Sequence, residues 1–108
     1  MKLPVEVFGD VTVVHTPEEM GEELADQLEN FLTTLDRVKV IVDMDGTESV
    51  DSTGLTALLN VQDTLRDLKG DLKVSTSNTA NRKILEITRL DRHLEVFDSV
   101  IDAVKSFV

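Results

Sequence analysis

Five consecutive residues near the middle of the chain, Asp51-Ser52-Thr53-Gly54-Leu55, present hydroxyl groups where they can be modified. Leu55 begins a run of apolar residues at helical spacing, so the five residues stand at the N-terminus of a predicted helix. Hydroxyls at such an end are exposed, and the free N–H groups and positive dipole end of the helix can receive a phosphate. The pattern is therefore compatible with a phosphorylation site at Ser52. A second interpretation also stands, in which Asp51 or Ser52 only caps the helix and Gly54 eases the turn.

A phosphate on Ser52 would act on a docked partner more than on the fold. It adds roughly −1.5 to −2 charges. The helix end stabilises that charge by about 0.3–1 kcal/mol, whereas the nearby Asp43, Asp45 and Asp51 repel it, so we expect little change in stability. A partner surface that buries this hydroxyl would have to desolvate a dianion at a cost of several kcal/mol. Since ~1.4 kcal/mol is a tenfold change in affinity, one phosphate is enough to end a micromolar complex.

A second pattern, Asp43-Met44-Asp45-Gly46-Thr47, follows a predicted strand and competes for the same loop. It matches the first motif of haloacid-dehalogenase-type phosphatases, in which the first aspartate is the nucleophile and the second is the general acid. Carboxylates two residues apart at a strand end can point into one cleft and share a magnesium ion. However, 42 residues precede Asp43 and only 61 follow Thr47, which is too few for the remaining motifs at their usual spacings. A small magnesium-dependent phosphatase that uses Asp43 and Asp45 stays as an alternative function.

The first half of the chain predicts a hairpin, a helix and a buried strand. Alternating valines on either side of Gly9-Asp10 predict two short strands joined by a turn. Thr16-Pro17 followed by two glutamates predicts a helix start, with a capping hydroxyl, a proline at the first position and acids facing the dipole. That helix runs to about Leu35, and its inward positions are Met20, Leu24, Leu28, Phe31 and Leu32. The β-branched run Val38–Val42 predicts a buried central strand.

The second half predicts three further helices separated by strands. The helices span Gly54 to about Lys69, Thr79 to about Leu90, and a final segment capped by Asp98. Their inward positions are, in order, Leu55, Leu58, Leu59, Gln62 and Leu65; Ile84, Leu85 and Ile87; and Val100, Ile101, Val104 and Phe107. The strands are Leu72–Ser75 and Leu94–Phe97. Two strands followed by alternating helices and strands imply an α/β sandwich, with a mixed sheet of about four to five strands and about four α-helices.

The Asp-Ser-Thr-Gly-Leu sequence at a helix start resembles the STAS domain of bacterial anti-sigma factor antagonists. The resemblance covers nearly the whole chain, as paired strands, helix, buried strand, the helix after Asp51, strand, helix, strand and terminal helix. The segment from Thr79 to Asp91, with Arg82 and Leu85, also resembles the third helix of that family. The resemblance implies an α/β fold of the STAS type and a single STAS domain over residues 1–108.

The resemblance also implies a function in a bacterial partner-switching circuit. In that family an anti-sigma factor that is also a serine kinase phosphorylates the serine after the aspartate, and a PP2C-type phosphatase removes the phosphate. Only the unphosphorylated antagonist binds the kinase and frees the sigma factor. Carried over by position, Ser52 is the phosphorylated residue, and the implied partner-binding residues are Asp51, Ser52, Thr53, Gly54, Leu55, Thr56 and His15. The family turn after the second strand usually reads Gly-Glu-Leu-Asp, whereas here it reads His15-Thr16-Pro17-Glu18.

We therefore expect a binding module and not an enzyme. The alternative within the same fold is a STAS scaffold or transporter-accessory subunit that phosphorylation does not regulate. The net charge is −10, and the whole acidic excess lies in residues 1–51. Because the phosphates of nucleic acids and anionic membranes repel such a domain, we expect no nucleic acid or membrane partner. The chain has no cysteine and no apolar run of the ~20 residues that span a bilayer. We expect a cytoplasmic monomer without cofactor or metal.

Overall fold

A computed structural model describes residues 3–34 and 37–107, in which helices and strands alternate after a first hairpin. The strands are β1 (Val5–Phe8), β2 (Val11–His15), β3 (Glu19–Met20), β4 (Lys39–Asp43), β5 (Ser49–Val50), β6 (Asp71–Ser75) and β7 (Val96–Phe97). The helices are α1 (Glu22–Thr34), α2 (Ser52–Asp67), α3 (Thr79–Ile87) and α4 (Val100–Lys105), and a short 3-10 turn spans Leu90–Arg92.

Five of the strands form one mixed sheet in the order β1-β2-β4-β6-β7. β1 and β2 are antiparallel and turn at Gly9, whose φ of +62° favours glycine, so the predicted hairpin is confirmed. The other neighbours in this sheet are parallel, and their carboxyl ends therefore lie at the same end of the sheet. β3 and β5 form a separate parallel ribbon directly before α2. The predicted fold class, a mixed α/β fold with four helices, is confirmed.

The central strands are buried on both faces, which explains their dense apolar sequence. Sheet residues in the larger core cluster are Val14, Val40, Val42, Leu72 and Val74, and they pack with leucines of α1, α2 and α3. On the opposite face, Val13 and Ile41 pack with Ala103 of α4. Met20 and Met44 are almost fully buried, so their predicted role as core residues is confirmed.

The predicted start of the first helix at Thr16-Pro17 is wrong. Helix α1 begins at Glu22, because Glu19–Met20 pairs with Ser49–Val50 instead. The Thr16 hydroxyl does not cap a helix but donates to the carbonyl of Asp43 at 3.1 Å. The predicted helix end at Leu35 and the inward position of the Leu32 side chain lie outside the described residues.

The C-terminal elements are also shorter or shifted relative to the prediction. α3 ends at Ile87, with a 3-10 turn after it, and β7 contains only Val96–Phe97. Ile87 and Ile101 were predicted to face inward, yet they are 70% and 65% exposed, because no element covers those turns in the described part of the chain. Ser99 caps α4 by accepting from the N–H of Asp102.

Asp98, the predicted cap of the final helix, binds Arg82 of α3 instead, at 2.5 Å. Helix α2 begins at Ser52, two residues before the predicted start at Gly54. Along α2, Leu55, Leu58, Gln62 and Leu65 are buried, which confirms the predicted inward face.

Candidate functional site

Asp51 fixes the N-terminus of α2 in two ways. Its extended backbone (φ −109°, ψ 175°) precedes the helix, and its Oδ1 accepts from the N–H of Gly54 at 3.0 Å, so Asp51 is the N-cap. Its own N–H donates to the carbonyl of Met20 in β3 at 3.0 Å. One part of the alternative interpretation, that Asp51 caps the helix, is thus correct. The cap consumes one oxygen of Asp51 and leaves the Ser52 hydroxyl available.

Gly54 allows α2 to lie against the β3–β5 ribbon, and Gly21 lies close to the cap residue Asp51. A Cβ on Gly54 would lie 2.4 Å from the carbonyl oxygen of Met20, which no side chain tolerates without movement of the backbone. A Cβ on Gly21 would lie 2.9 Å from Oδ2 of Asp51. Gly54 was predicted to ease the turn and to be a partner-binding residue, and the structure shows that it also permits close packing. Gly21 was missed, because a glycine between two elements resembles an ordinary turn residue.

The hydroxyls at the start of α2 face outward. Ser52, Thr53 and Thr56 are exposed, and they line a shallow groove of about 260 Å³ between α1 and α2. The other residues along this groove are Ala25 of α1 and Ala57 and Asn60 of α2. Gly54 and Leu55 are buried and support the turn from inside. The structure thus places three of the predicted partner-binding residues on one accessible surface.

Acidic residues surround this surface. Glu19, Glu22, Glu23 and Asp51 line a second depression of about 260 Å³ that also contains Ser49. Glu18, at the start of the ribbon, lies beside Glu48, and the hydrogen bond and repulsion between the two carboxyl groups raise the pKa of Glu18. Asp51 directly precedes Ser52, so this acidic depression adjoins the start of α2.

The carboxylates of the Asp43–Thr47 segment turn toward different partners. Oδ2 of Asp43 lies 2.8 Å from Nδ1 of His15, and its Oδ1 accepts from the N–H of Asp45 at 3.1 Å. Oδ1 of Asp45 accepts from the backbone N–H of Ser77 at 2.6 Å and from its hydroxyl at 3.1 Å. The two aspartates do not share one cleft, as the phosphatase alternative requires. Among the described residues, no group of three acidic, histidine or cysteine side chains is arranged to hold a metal ion.

Asn81 of α3 binds the Asp43–Thr47 loop through buried hydrogen bonds. It is 2% exposed on α3, and its Nδ2 donates to the carbonyls of Met44 at 3.0 Å and Thr47 at 2.9 Å. The buried Thr47 hydroxyl donates to the carbonyl of Pro17 at 2.7 Å and also contacts the hydroxyl of Thr16. Sequence reasoning missed Asn81, because one polar residue on an amphipathic helix has no pattern that marks it as buried.

His15, predicted to contact a partner, is bound within the fold. Its Nε2 lies 2.6 Å from Oε1 of Glu6, and its Nδ1 lies 2.8 Å from Oδ2 of Asp43. Partial burial of the ring lowers its pKa, but the hydrogen bonds to Glu6 and Asp43 outweigh that effect and raise the pKa overall. The ring is partly exposed, so its outer surface still borders solvent.

The arrangement of strands, helices and the capped start of α2 matches a known family. The profile of the STAS domain matches residues 2–103 of the chain. The chain belongs to the STAS domain family. Within the described ranges, every helix is too short or too polar to cross a membrane.

Known STAS proteins resemble this chain over nearly its full length. A Thermotoga neapolitana protein named as a candidate anti-sigma factor antagonist is 22% identical over 94% of each chain. The antagonist SpoIIAA in its unphosphorylated form has a TM-score of 0.79 and 14% identity, over 97% of this chain and 95% of its own. A sulfate transporter family protein of Wolinella succinogenes has a TM-score of 0.82 and 21% identity, over 94% and 87%. At these identities the structural likeness establishes the fold, which antagonists and a transporter-family protein share.

Proposed function

We propose that this STAS domain is an anti-sigma factor antagonist controlled by phosphorylation of Ser52. In its unphosphorylated form it binds an anti-sigma factor that is also a serine kinase, and phosphorylation releases it. The observation that carries the proposal is the exposed Ser52 hydroxyl on a backbone that Asp51, Gly54 and Met20 hold in place. A kinase needs an accessible hydroxyl in a defined position, and this one satisfies both needs.

A phosphate at Ser52 would change the docking surface and leave the fold intact. The side chain is exposed, so the phosphate would remain in water when the domain is free. The first turn of α2 favours a negative charge, while Asp51, Glu19 and the other acids nearby oppose it. A partner that covers the groove between α1 and α2 would have to desolvate the phosphate. The cost falls on the complex, and it amounts to several kcal/mol unless a cation meets the phosphate.

The acidic surroundings also suggest what kind of surface the partner presents. A negative field around Ser52 speeds association with a basic surface and slows association with an acidic one. We therefore propose that the anti-sigma factor presents basic residues to the depression lined by Glu19, Glu22 and Glu23, and a pocket without cations to Ser52. A PP2C-type phosphatase would complete the cycle, and the domain itself would act by binding and release rather than by turnover. Under this proposal the protein acts in the bacterial cytoplasm as a regulator of transcription.

The second candidate function is a STAS scaffold or transporter-accessory subunit that phosphorylation does not regulate. The likeness to the Wolinella succinogenes transporter-family protein favours it, because that likeness is as strong as the likeness to the antagonists. In this case Asp51 and Ser52 would serve only to begin α2.

Binding to the serine-kinase anti-sigma factor of the same organism distinguishes the two. We expect Ser52→Ala to bind as the wild type does and Ser52→Asp to bind at least about thirtyfold more weakly, a difference of about 2 kcal/mol. Ser49→Asp is the matched control, because it adds the same charge to an exposed serine of β5, outside the helix. The scaffold function predicts that Ser52→Ala and Ser52→Asp behave alike, and that ATP and the kinase leave the protein unmodified.

A further inference from the structure

The hairpin β1–β2 is held to the sheet at both ends by charged side chains. At the turn, Nζ of Lys39 lies 2.7 Å from Oδ2 of Asp10, and Arg37 donates to the carbonyl of Gly9 at 2.5 Å. At the open end, His15 contacts Glu6 on β1 and Asp43 on β4. The first end therefore depends on a lysine and an arginine, whereas the second depends on a histidine.

β1 is the strand that most needs such support. It is an edge strand with one neighbour, and its residues from Val5 to Phe8 are all exposed. Val5, Val7 and Phe8 are 40%, 54% and 43% exposed, so little apolar burial holds the strand in place. The ladder with β2 and the charged contacts at its two ends must supply the rest.

The ring of His15 bridges two carboxylates, an arrangement that is complete only when both ring nitrogens carry protons. A neutral imidazole donates from one nitrogen only, so it would satisfy either Glu6 or Asp43 but not both. The charged groups facing the ring are Glu6 from β1 and Asp43 from β4. The next strand, β6, brings the uncharged Ser75 opposite Asp43, and the following loop contributes only the N–H of Asp45 to that carboxylate. Within the described ranges no cationic side chain competes for Glu6 or Asp43.

We propose that protonated His15 clamps the edge strand β1 to the sheet through Glu6 and Asp43, and that loss of its proton loosens β1. The clamp is complete below the unfolded-chain histidine pKa, about 6.5, and it weakens as the pH rises through the higher value in the folded protein. The sensitive range therefore lies above the pKa of an ordinary histidine. The other end of the hairpin is held by the contacts of Lys39 with Asp10 and of Arg37 with Gly9, to which no histidine contributes.

NMR titration of the two histidines gives the first test, with His93→Gln used to assign the signals. We expect the midpoint of His15 to lie above that of histidine in the urea-unfolded chain. Glu6→Gln should lower the His15 midpoint, because it removes one of the two carboxylates. The Glu6 side chain is 58% exposed, so the variant is expected to fold. A His15 midpoint at or below the unfolded value, or one that Glu6→Gln leaves in place, would overturn the proposal.

Amide hydrogen exchange at pH 6 and pH 8.5, corrected for intrinsic rates, tests the loosening itself. Relative to β4, protection in β1 should fall by about threefold at the higher pH, the size expected for a partly exposed ion pair. Glu6→Gln and His15→Gln should abolish this pH dependence. Asp10→Asn, the matched control at the turn, should lower protection equally at both pH values. The proposal is wrong if wild-type protection in β1 is independent of pH, or if Glu6→Gln retains the same dependence.

Discussion

The neighbouring sequences Asp43–Thr47 and Asp51–Leu55 both contain aspartates and hydroxyl side chains, but these side chains have different roles in the two places. Between Asp43 and Thr47 the polar side chains bind other groups of the domain, namely His15, Ser77 and the carbonyl of Pro17. Between Asp51 and Leu55 only one carboxylate caps the helix, and the hydroxyls stay exposed.

The difference shows that a motif predicts chemistry only if its polar groups remain available once the chain has folded. Asp43 and Asp45 match a phosphatase motif in sequence, yet their oxygens already bind backbone and side-chain donors. Ser52 has a less distinctive sequence context, but its hydroxyl lies beside an open groove. Substitutions in the two sequences should therefore separate stability from binding.

The largest expected effect on stability is that of Gly54→Ala. The added Cβ would lie 2.4 Å from the carbonyl oxygen of Met20, so α2 would have to move away from the β3–β5 ribbon. We expect a loss of about 3 kcal/mol in the free energy of unfolding, measured in urea. Gly46→Ala is the matched control, because its Cβ would lie 3.7 Å from the nearest atom, an ordinary contact. Equal losses in the two variants would contradict the close packing described for Gly54.

Asn81→Ala should come next, with a loss of about 2 kcal/mol. The substitution leaves the carbonyls of Met44 and Thr47 without their buried donor. Asn60→Ala, at an exposed position on α2, should change stability by less than about 0.5 kcal/mol. If both variants unfold at the same urea concentration, the loop does not depend on Asn81.

Asp51→Ala should cost about 1 kcal/mol, the usual value for a lost N-cap. Asp51→Asn should recover most of this stability, since an amide oxygen can also accept from the N–H of Gly54. The comparison is made by urea unfolding of both variants. An asparagine variant as unstable as the alanine variant would show that the carboxylate charge, rather than the cap, stabilises this turn.

The smallest effects on stability belong to Ser52. Both Ser52→Ala and Ser52→Asp should lie within about 0.5 kcal/mol of the wild type, because the side chain is exposed and outside the core. Thermal unfolding of the two variants provides the measurement. A large loss in either variant would mean that Ser52 supports the fold, and it would weaken the comparison between the two neighbouring sequences.

Apolar periodicity was sufficient to predict the sheet, the hairpin and most helix faces. It did not predict the β3–β5 ribbon, because strands of two residues carry no periodic signal and the Thr16-Pro17 sequence imitates a helix start. Periodicity identifies the apolar face of a helix, but it does not show whether another element covers that face. For this reason Ile87 and Ile101 were predicted to face inward, although they are exposed. The ribbon depends on contacts between residues about thirty positions apart, such as Glu19 with Ser49, which override the local helix signal.

The position of the candidate site was predictable from the sequence, but the contacts that hold it in place were not. The helix start follows from the Asp51–Leu55 sequence to within two residues, and the Ser52 side chain is exposed in the first turn. The close approach of Met20 to Gly54, and the binding of His15 to Glu6 and Asp43, depend on how separate elements pack. No pattern within a single element encodes those contacts.

Phosphate occupancy at Ser52 in the native cells tests the central claim most directly. Mass spectrometry of the tryptic peptide covering residues 40–66, from cells in growth and under stress, should show phosphate on Ser52 in amounts that differ between the two states. Fragmentation must separate Ser52 from Ser49, Thr53 and Thr56. An unmodified peptide in every condition would contradict the proposed switch and leave the STAS scaffold as the function to pursue.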